Sequence, residues 1–331
     1  MLIRKYNAEK DKKAICRIWE EIGWIQKEKS QKESVGLMLD CSEPWVCEYR
    51  GLAESVVLTI EAELNYLNEK LTHCAVNGVS SSTLVRKQGF TRKLIAHAIM
   101  KMVEKGAHTS SLHMFDQGYY NKLGFGTGAY KHYISFDPNN LNIKTKPRIP
   151  VRLTVNDWRD LHACRINRVK YHGAIDIIPE DFTKANYGFL KNSFIFVYKE
   201  NGKITHFLVG CTDNIENGPY HIECVFNKKE QFLELLAFIK TLGEQVRCVK
   251  LIEPPFIQMQ DFLERPFLFR EITKQGKYQN TNIGEATWQV RICDLQKCIS
   301  VVKNKEEELE FNLLINDPIK HYLPDNSIWK G

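Results

Sequence analysis

Apolar residues at Ile15, Ile18, Trp19 and Ile22 recur at helical spacing and predict one buried stripe on a helix over 14–24. Over 55–64 the period changes to two. Val56, Leu58, Ile60, Ala62 and Leu64 share one face, and Thr59, Glu61 and Glu63 share the other, which predicts a strand. Shorter strands are predicted over 2–6, 45–49, 74–80, 110–114 and 130–136. Phe90, Leu94, Ile95, Ala98, Ile99, Met102 and Val103 predict a strongly amphipathic helix. These elements amount to a mixed α/β domain over 1–140.

The polar stretch DPNNLNIKTKPRIP, rich in Asn, Lys and Pro, reads as a linker. After it the order of elements partly repeats. A strand is predicted over 151–153 and a helix over 158–169. Strands over 194–198 and 204–210 form a hairpin through Glu200, Asn201 and Gly202, and a strand over 220–226, a helix over 231–242 and a strand over 246–252 follow. A second α/β unit therefore spans 141–286. From Trp288 a third piece, 287–331, opens with the strand WQVRICDL and carries another strand over 310–315. It is small for an independent domain, and it is expected either to be cut short or to complete its neighbours.

Composition narrows the function classes. The 331 residues are 43% hydrophobic and 26% charged, as in ordinary globular proteins, with a net charge of +6. That mild excess suits an anionic cofactor or simple solubility. No arginine-rich arm or aromatic–basic interleaving points to nucleic acid. The ten cysteines are scattered with no C-x-x-C pair, which argues against a zinc site and a disulfide scaffold and for reduced thiols in a cytoplasm. The charged start MLIRKYNAEKDKKA is not that of a signal peptide, and no apolar run approaches the ~20 residues of a membrane span.

The candidate chemistry lies in GVSSSTLVRKQGFTRKL, 78–94. A strand passes through a small polar loop into a basic, glycine-containing turn that opens a helix. A helix N-terminus offers unpaired amides and about half a positive charge, and a glycine before it admits a ligand to the backbone. That is the general arrangement of a pyrophosphate site.

This order resembles motif A of the GNAT N-acetyltransferase superfamily, which binds acetyl-coenzyme A. The superfamily pattern is Arg or Gln, two residues, Gly, one residue, then Gly or Ala; Arg86 and Gly89 match, and Thr91 stands where the small residue is commonest. The later LHMFDQGYYNKLGFG resembles that superfamily's F-Y-x-x-x-G-F segment. The whole chain resembles more closely the multidomain "enhanced intracellular survival" (Eis) acetyltransferases, through 112–126, with Met114 in the place of a usual proline, and through KLIEPPFIQMQDFLERP, WQVRICDLQKCI and FNLLINDPIKHYLPDNSIW. The resemblance implies tandem GNAT folds, the second degenerate, followed by a partial sterol-carrier-protein-like domain that runs well past such a point in the family. It also implies a cytoplasmic homo-oligomer, a hexamer in that family, acting on a small-molecule amine without metal, nucleic acid or membrane.

Site roles follow from that resemblance. The pyrophosphate lies on Arg86, Lys87, Gln88, Gly89, Phe90, Thr91 and Arg92. The pantetheine arm pairs with the backbone of Val79, Ser80 and Ser81, and Phe115 and Asp116 stand near the far wall of the pocket. Tyr120 matches the acid that protonates the departing thiolate, its ordinary pKa of ~10 being close to that of a thiol. Tyr119 is its competitor, and packing beside Gly124 is the bland reading of Tyr120. Glu61 and Glu63 could steer the amine, although a solvated strand face is the simpler reading. His97 reads as a surface or edge histidine and His113 as core packing. The stretch 26–33 and the run Lys303 to Glu310 read as solvated. The family's base resembles a terminal carboxylate, which would lie beyond Gly331. The leading expectation is an acetyl-CoA-dependent N-acetyltransferase acting on an aminoglycoside, polyamine or lysine-like amine. The alternative is a non-catalytic coenzyme A-binding sensor or assembly protein.

Overall fold

The computed structural model describes residues 1–27, 29–67, 69–154, 156–190, 192–212, 219–266, 280–302, 310 and 312–323. It is mixed α/β, with two sheets, each flanked by helices. Contacts divide the chain into two units.

The first unit comprises Met1–Ala129, His172–Phe189 and Ala286–Gly331. Its strands are β1 (Leu2–Lys5), β2 (Glu43–Tyr49), β3 (Leu52–Tyr66), β4 (Glu69–Ser81), β5 (Thr109–His113), β6 (Gly126–Thr127), β9 (Ile175–Ile177) and β15 (Trp288–Ile292). The sheet order is β1-β2-β3-β4-β5-β15-β6, and β9 pairs the outer half of β3 where β2 has ended. Only the β4–β5 pair is parallel among its ladders. The two faces of β3 divide as the alternation predicts. Val56, Leu58 and Ile60 are buried with Ile15, Ile18 and Trp19 of helix α1 (Ala8–Glu21), while Val57 packs with Leu94, Ile95, Ala98 and Ile99 of helix α3 (Phe90–Glu104). The stretch read as solvated enters helix α2 (Lys29–Asp40), whose Val35, Met38 and Leu39 are buried. Its charged start hides an i, i+3, i+4 apolar stripe. Helices α4 (Gln117–Asn121), α6 (Glu180–Gly188) and α8 (Leu295–Ser300) complete this unit.

The second unit comprises Tyr130–Tyr171 and Leu190–Glu285. Its sheet, β14-β7-β13-β12-β11-β10-β8, is built from β7 (Lys131–Phe136), β8 (Val151–Arg152), β10 (Ser193–Glu200), β11 (Lys203–Cys211), β12 (Tyr220–Val225), β13 (Val249–Ile252) and β14 (Thr281–Glu285). Helices α5 (Trp158–Ile166) and α7 (Lys229–Thr241) flank it, with Phe232, Leu235, Leu236 and Ile239 of α7 in the core. The hairpin turn is the expected one, with positive φ at both Asn201 and Gly202. Again one ladder, β12–β13, is parallel.

Four points of the sequence reading change. The strand over 130–136, expected to close the first domain, is β7 and pairs β13 and β14 of the second sheet. The strand expected to open a third domain is β15, and it lies between β5 and β6 of the first sheet. Alternation alone cannot see this, because each strand carries the right periodicity for either sheet and only its partners decide. Residues 172–189, given no elements by the sequence reading, supply β9 and α6 to the first unit. The expected strand over 310–315 is absent among the described residues 310 and 312–315. Most of the charged run 303–310, and the end of the last resembling segment, lie outside the described residues.

Candidate active site

The site grows from the one parallel ladder of the first sheet. Strands β4 and β5 pair at His73↔Thr109, Cys74↔Ser110 and Ala75↔Ser111. No later pair follows among the described residues, although β4 continues to Ser81 and β5 to His113. The strands splay, and the main chain of 76–81 loses its ladder on the β5 side. The base of the splay is tied by His73, fully buried, whose Nδ1 and Nε2 hydrogen-bond Thr109 Oγ1 at 2.8 Å and Ser111 Oγ at 2.7 Å. Burial pushes this imidazole down to about 3, so it is neutral.

At the open end, the Ser82 amide donates to Glu54 O at 2.8 Å and a 3-10 turn, Thr83–Val85, is anchored by buried Val85. The chain then passes through Arg86, Lys87 (φ 61) and Gln88, all exposed, to Gly89. Gly89 is the N-cap of α3 in the left-handed region, φ 77, and no side chain caps the helix. A Cβ at Gly89 would meet nothing within 4 Å, so the space over the turn is open. Uncapped amides, the helix dipole and the exposed Arg86, Lys87, Arg92 and Lys93 give this turn a concentrated positive field.

The predicted backbone segment divides by side chain. Ser80 is buried and committed inward, accepting from Trp19 Nε1 at 3.0 Å and donating to Gly78 O at 3.1 Å. Val79 packs toward the α3 core. Ser81 accepts from Ser55 Oγ at 3.1 Å and hydrogen-bonds the Thr91 hydroxyl. Thr91 therefore fastens the start of α3 to the end of β4. Sequence reasoning missed Ser55 and also Ser82, whose hydroxyl is buried without a partner. No sequence signal marks either; Ser55 faces Ser81 only through the β3–β4 register.

Asp116 caps the short helix α4, its Oδ1 accepting from the Tyr119 amide at 2.9 Å. Phe115 is 73% exposed, and its ring lies 5.5 Å from Tyr119 and 5.4 Å from Tyr120. Tyr120 is 2% exposed, in the cluster that holds Leu94 and Ile95 of α3 and against which Val79 and Phe90 pack. Burial raises the Tyr120 phenol well above its ordinary value, so it stays protonated. Burial also raises Tyr119, against the pull of Arg92 and the Thr91 hydroxyl.

Other candidates lie elsewhere. Glu61 and Glu63 pair with Cys74 and Thr72, on the far side of Ala75 from Ser81, and Glu63 binds Lys70 at 2.6 Å. His97 is half-buried with its ring 4.7 Å from Trp45. His113, expected in the core, is exposed, edge-on to Trp288 at 5.6 Å. All ten cysteines are free thiols. No helix among the described residues is long and apolar enough to cross a membrane.

Residues 3–128 match the family model described as an acetyltransferase (GNAT) domain. No curated protein matches the sequence. Among solved structures, the chain is similar to a probable N-acyltransferase of unknown function from Enterococcus faecalis V583, at 13% identity and a TM-score of 0.70, covering 88% of this chain and 72% of that one. It is similar to a GCN5-related N-acetyltransferase from Anabaena variabilis, at 12% identity and a TM-score of 0.66, covering 88% and 73%. Eis1 from Mycobacterium abscessus matches at 13% identity and a TM-score of 0.66, covering 88% and 74%. At such identities these likenesses speak for a shared fold.

Proposed function

Starting from a GNAT acetyltransferase domain at residues 3–128, we propose that the protein is an acetyl-CoA-dependent N-acetyltransferase acting on a primary amine. The observation that carries this reading is the splay of β4 from β5, which opens beside an uncapped, basic helix N-terminus. The amides of 87–92 receive the pyrophosphate, Gln88 excepted because its amide donates to Val85 O at 3.3 Å, and the positive field favours its charge. The main chain of Val79, Ser80 and Ser81 takes the pantetheine arm as it would a strand; the inward-turned Ser80 hydroxyl leaves only its backbone for this role. Phe115 offers an exposed ring at the wall, and Asp116 serves by capping α4.

The reaction needs few protein groups. The neutral amine attacks the thioester carbonyl carbon, forming the C–N bond. The carbonyl re-forms as the C–S bond breaks, and Tyr120 donates its proton to the departing thiolate. The amine's extra proton passes to water or to a carboxylate. Burial keeps Tyr120 protonated but also makes it a weaker acid than an ordinary phenol, so proton transfer relies on the same surroundings disfavouring a free thiolate. The acceptor is an aminoglycoside, a polyamine or a lysine-like amine, and the cytoplasmic homo-oligomer of Eis-like enzymes belongs to the same reading.

A second reading, a coenzyme-binding sensor without turnover, is favoured by the near-complete burial of Tyr120 among Phe115, Tyr119 and Phe125. Thiol release from acetyl-CoA with a panel of amines separates the two. Release that falls at least tenfold in Tyr120→Phe supports the transferase. Coenzyme binding without release in any amine supports the sensor.

A further inference from the structure

Strand β15 reaches the first sheet about 170 residues after α4 and brings two buried polar side chains to it. Gln289, fully buried, donates from Nε2 to Asn121 Oδ1 at 3.0 Å. Arg291, 2% exposed, donates from Nη1 to the Leu123 carbonyl at 2.8 Å and from Nη2 to Asp317 Oδ2. Asp317 is itself buried, and its Oδ1 accepts from the Ile319 amide at 3.0 Å. Ile319 lies in the same buried cluster as Tyr120 and Leu123.

The bonds to Asn121 and Leu123 fall on the turn that follows Tyr120, and Asp317 holds the guanidinium that makes the second of them. The Tyr120 carbonyl accepts from Leu123 N at 2.9 Å and Phe125 N at 3.2 Å, and the Asn121 carbonyl accepts from Gly124 N at 3.0 Å. The Leu123 carbonyl, which takes no part in these turn bonds, accepts from Arg291. Gly124 has φ 82, and a Cβ there would collide with the Arg291 guanidinium, which fills that space. The glycine is needed for Arg291 to reach across. On its other side α4 is held by Asp116.

We propose that Gln289, Arg291 and Asp317 form a clasp that positions Tyr120 for proton transfer, so that strand β15 is part of the catalytic apparatus of the first unit. The proposal rests on Tyr120 being the acid. A buried guanidinium in two directed hydrogen bonds costs desolvation and is replaceable by apolar packing where stability alone is wanted. Its geometry here is directed at one backbone carbonyl and one carboxylate, and it fixes the turn more closely than apolar contact would. A displacement of about 1 Å at a reacting group can cost about a hundredfold in rate.

The test is Arg291→Lys in the full chain, alone and combined with Tyr120→Phe. Lysine keeps the charge opposite Asp317 but cannot serve both acceptors in that fork. The expected result is a kcat lowered about tenfold to a hundredfold, with KM for acetyl-CoA within about threefold, as the loss of an interaction made only in the transition state requires. In the Tyr120→Phe background the same substitution should cost nothing further. Equal losses in both backgrounds, or no loss in either, overturn the proposal. If Arg291→Lys does not fold, Gln289→Met, close in volume, carries the same prediction. If the parent chain releases no thiol with any amine, the transferase reading has failed separately. The clasp is then read from tyrosine ¹³Cζ NMR, with Tyr120→Phe assigning the resonance. A Tyr120 signal displaced in Arg291→Lys upholds the positioning, and an unmoved one overturns it.

Discussion

The turn from β4 into α3 and the turn from β12 into α7 hold the same place in two sheets of the same order. In each sheet a long antiparallel hairpin leads to a strand that pairs in parallel with the next, with a helix between. The chemistry of the two turns is opposite. Before α3 the turn holds Lys87 and Gly89 at positive φ, is exposed, and leaves the helix without a side-chain cap. Before α7 the Gln231 Oε1 accepts from the amides of Asn227 at 2.8 Å and Lys228 at 3.0 Å, and the Phe226 carbonyl accepts from Val169 N at 2.9 Å. The first turn is exposed and basic, with the Gln88 amide donating to Val85 O at 3.3 Å, whereas the entry amides of the second turn are taken by the Gln231 side chain. The bases of the two parallel ladders differ as well. His73 with Thr109 and Ser111 ties one, while Tyr220 opposite buried Val249 forms the other. The same topology thus carries two turns of different charge and exposure, and the proposed coenzyme site rests on the first of them.

The sharpest way to break this comparison is Gly89→Glu. A carboxylate in the open space over the turn should lower acetyl-CoA affinity about a hundredfold or more, by like-charge repulsion. Gly89→Ala controls for the backbone, since any side chain at φ 77 costs about 1–2 kcal/mol. Calorimetry should show one coenzyme per chain in the parent and little change in Gly89→Ala. Two coenzymes per chain would show the second turn to be open as well.

A second test uses the ladder bases. The folded His73 value of about 3 lies below the ordinary 6.5. Below pH 6.5 the unfolded chain binds a proton that the folded chain refuses. Stability should therefore fall as pH drops from 6.5 toward 3, by at most about 1.4 kcal/mol per pH unit from this group. His73→Leu should flatten that slope in denaturant unfolding followed at Trp19 and Trp45. An unchanged slope would show that His73 does not couple the first ladder to pH.

Gln231→Ala should cost about 1 kcal/mol of stability, as the loss of a helix-entry partner does. It should leave acetyl-CoA affinity unchanged, and a new binding event in calorimetry would mean that Gln231 alone had closed the second turn. The smallest effect belongs to Thr91→Ala. Loss of its hydroxyl link to Ser81 should change KM for acetyl-CoA by no more than about tenfold, the worth of one neutral hydrogen bond. A larger rise would show that Thr91 itself holds the coenzyme.

Much of this was legible in the residues. The alternation of β3, the stripe of α3 and the R-K-Q-G turn place β3, α3 and the turn into α3 correctly, because local period and turn chemistry are written in adjacent residues. The pairing of Ser55 with Ser81, the commitment of Ser80 to Trp19 and the burial of Tyr120 were not. Each depends on strand register or on packing between segments far apart in the chain.

The sequence by itself determined elements of strong local period such as β3, α3 and α7, the basic glycine turn and the aromatic segment that follows it, since these depend on neighbours within a few positions. Only the tertiary structure decided which sheet each strand joins. It sent 131–136 to the second sheet and 288–292 to the first, where Arg291 meets Leu123 and Asp317. A strand's periodicity specifies one buried face, whereas its hydrogen-bonding edges accept any partner of suitable register. The choice among partners is made by the packing of the whole unit.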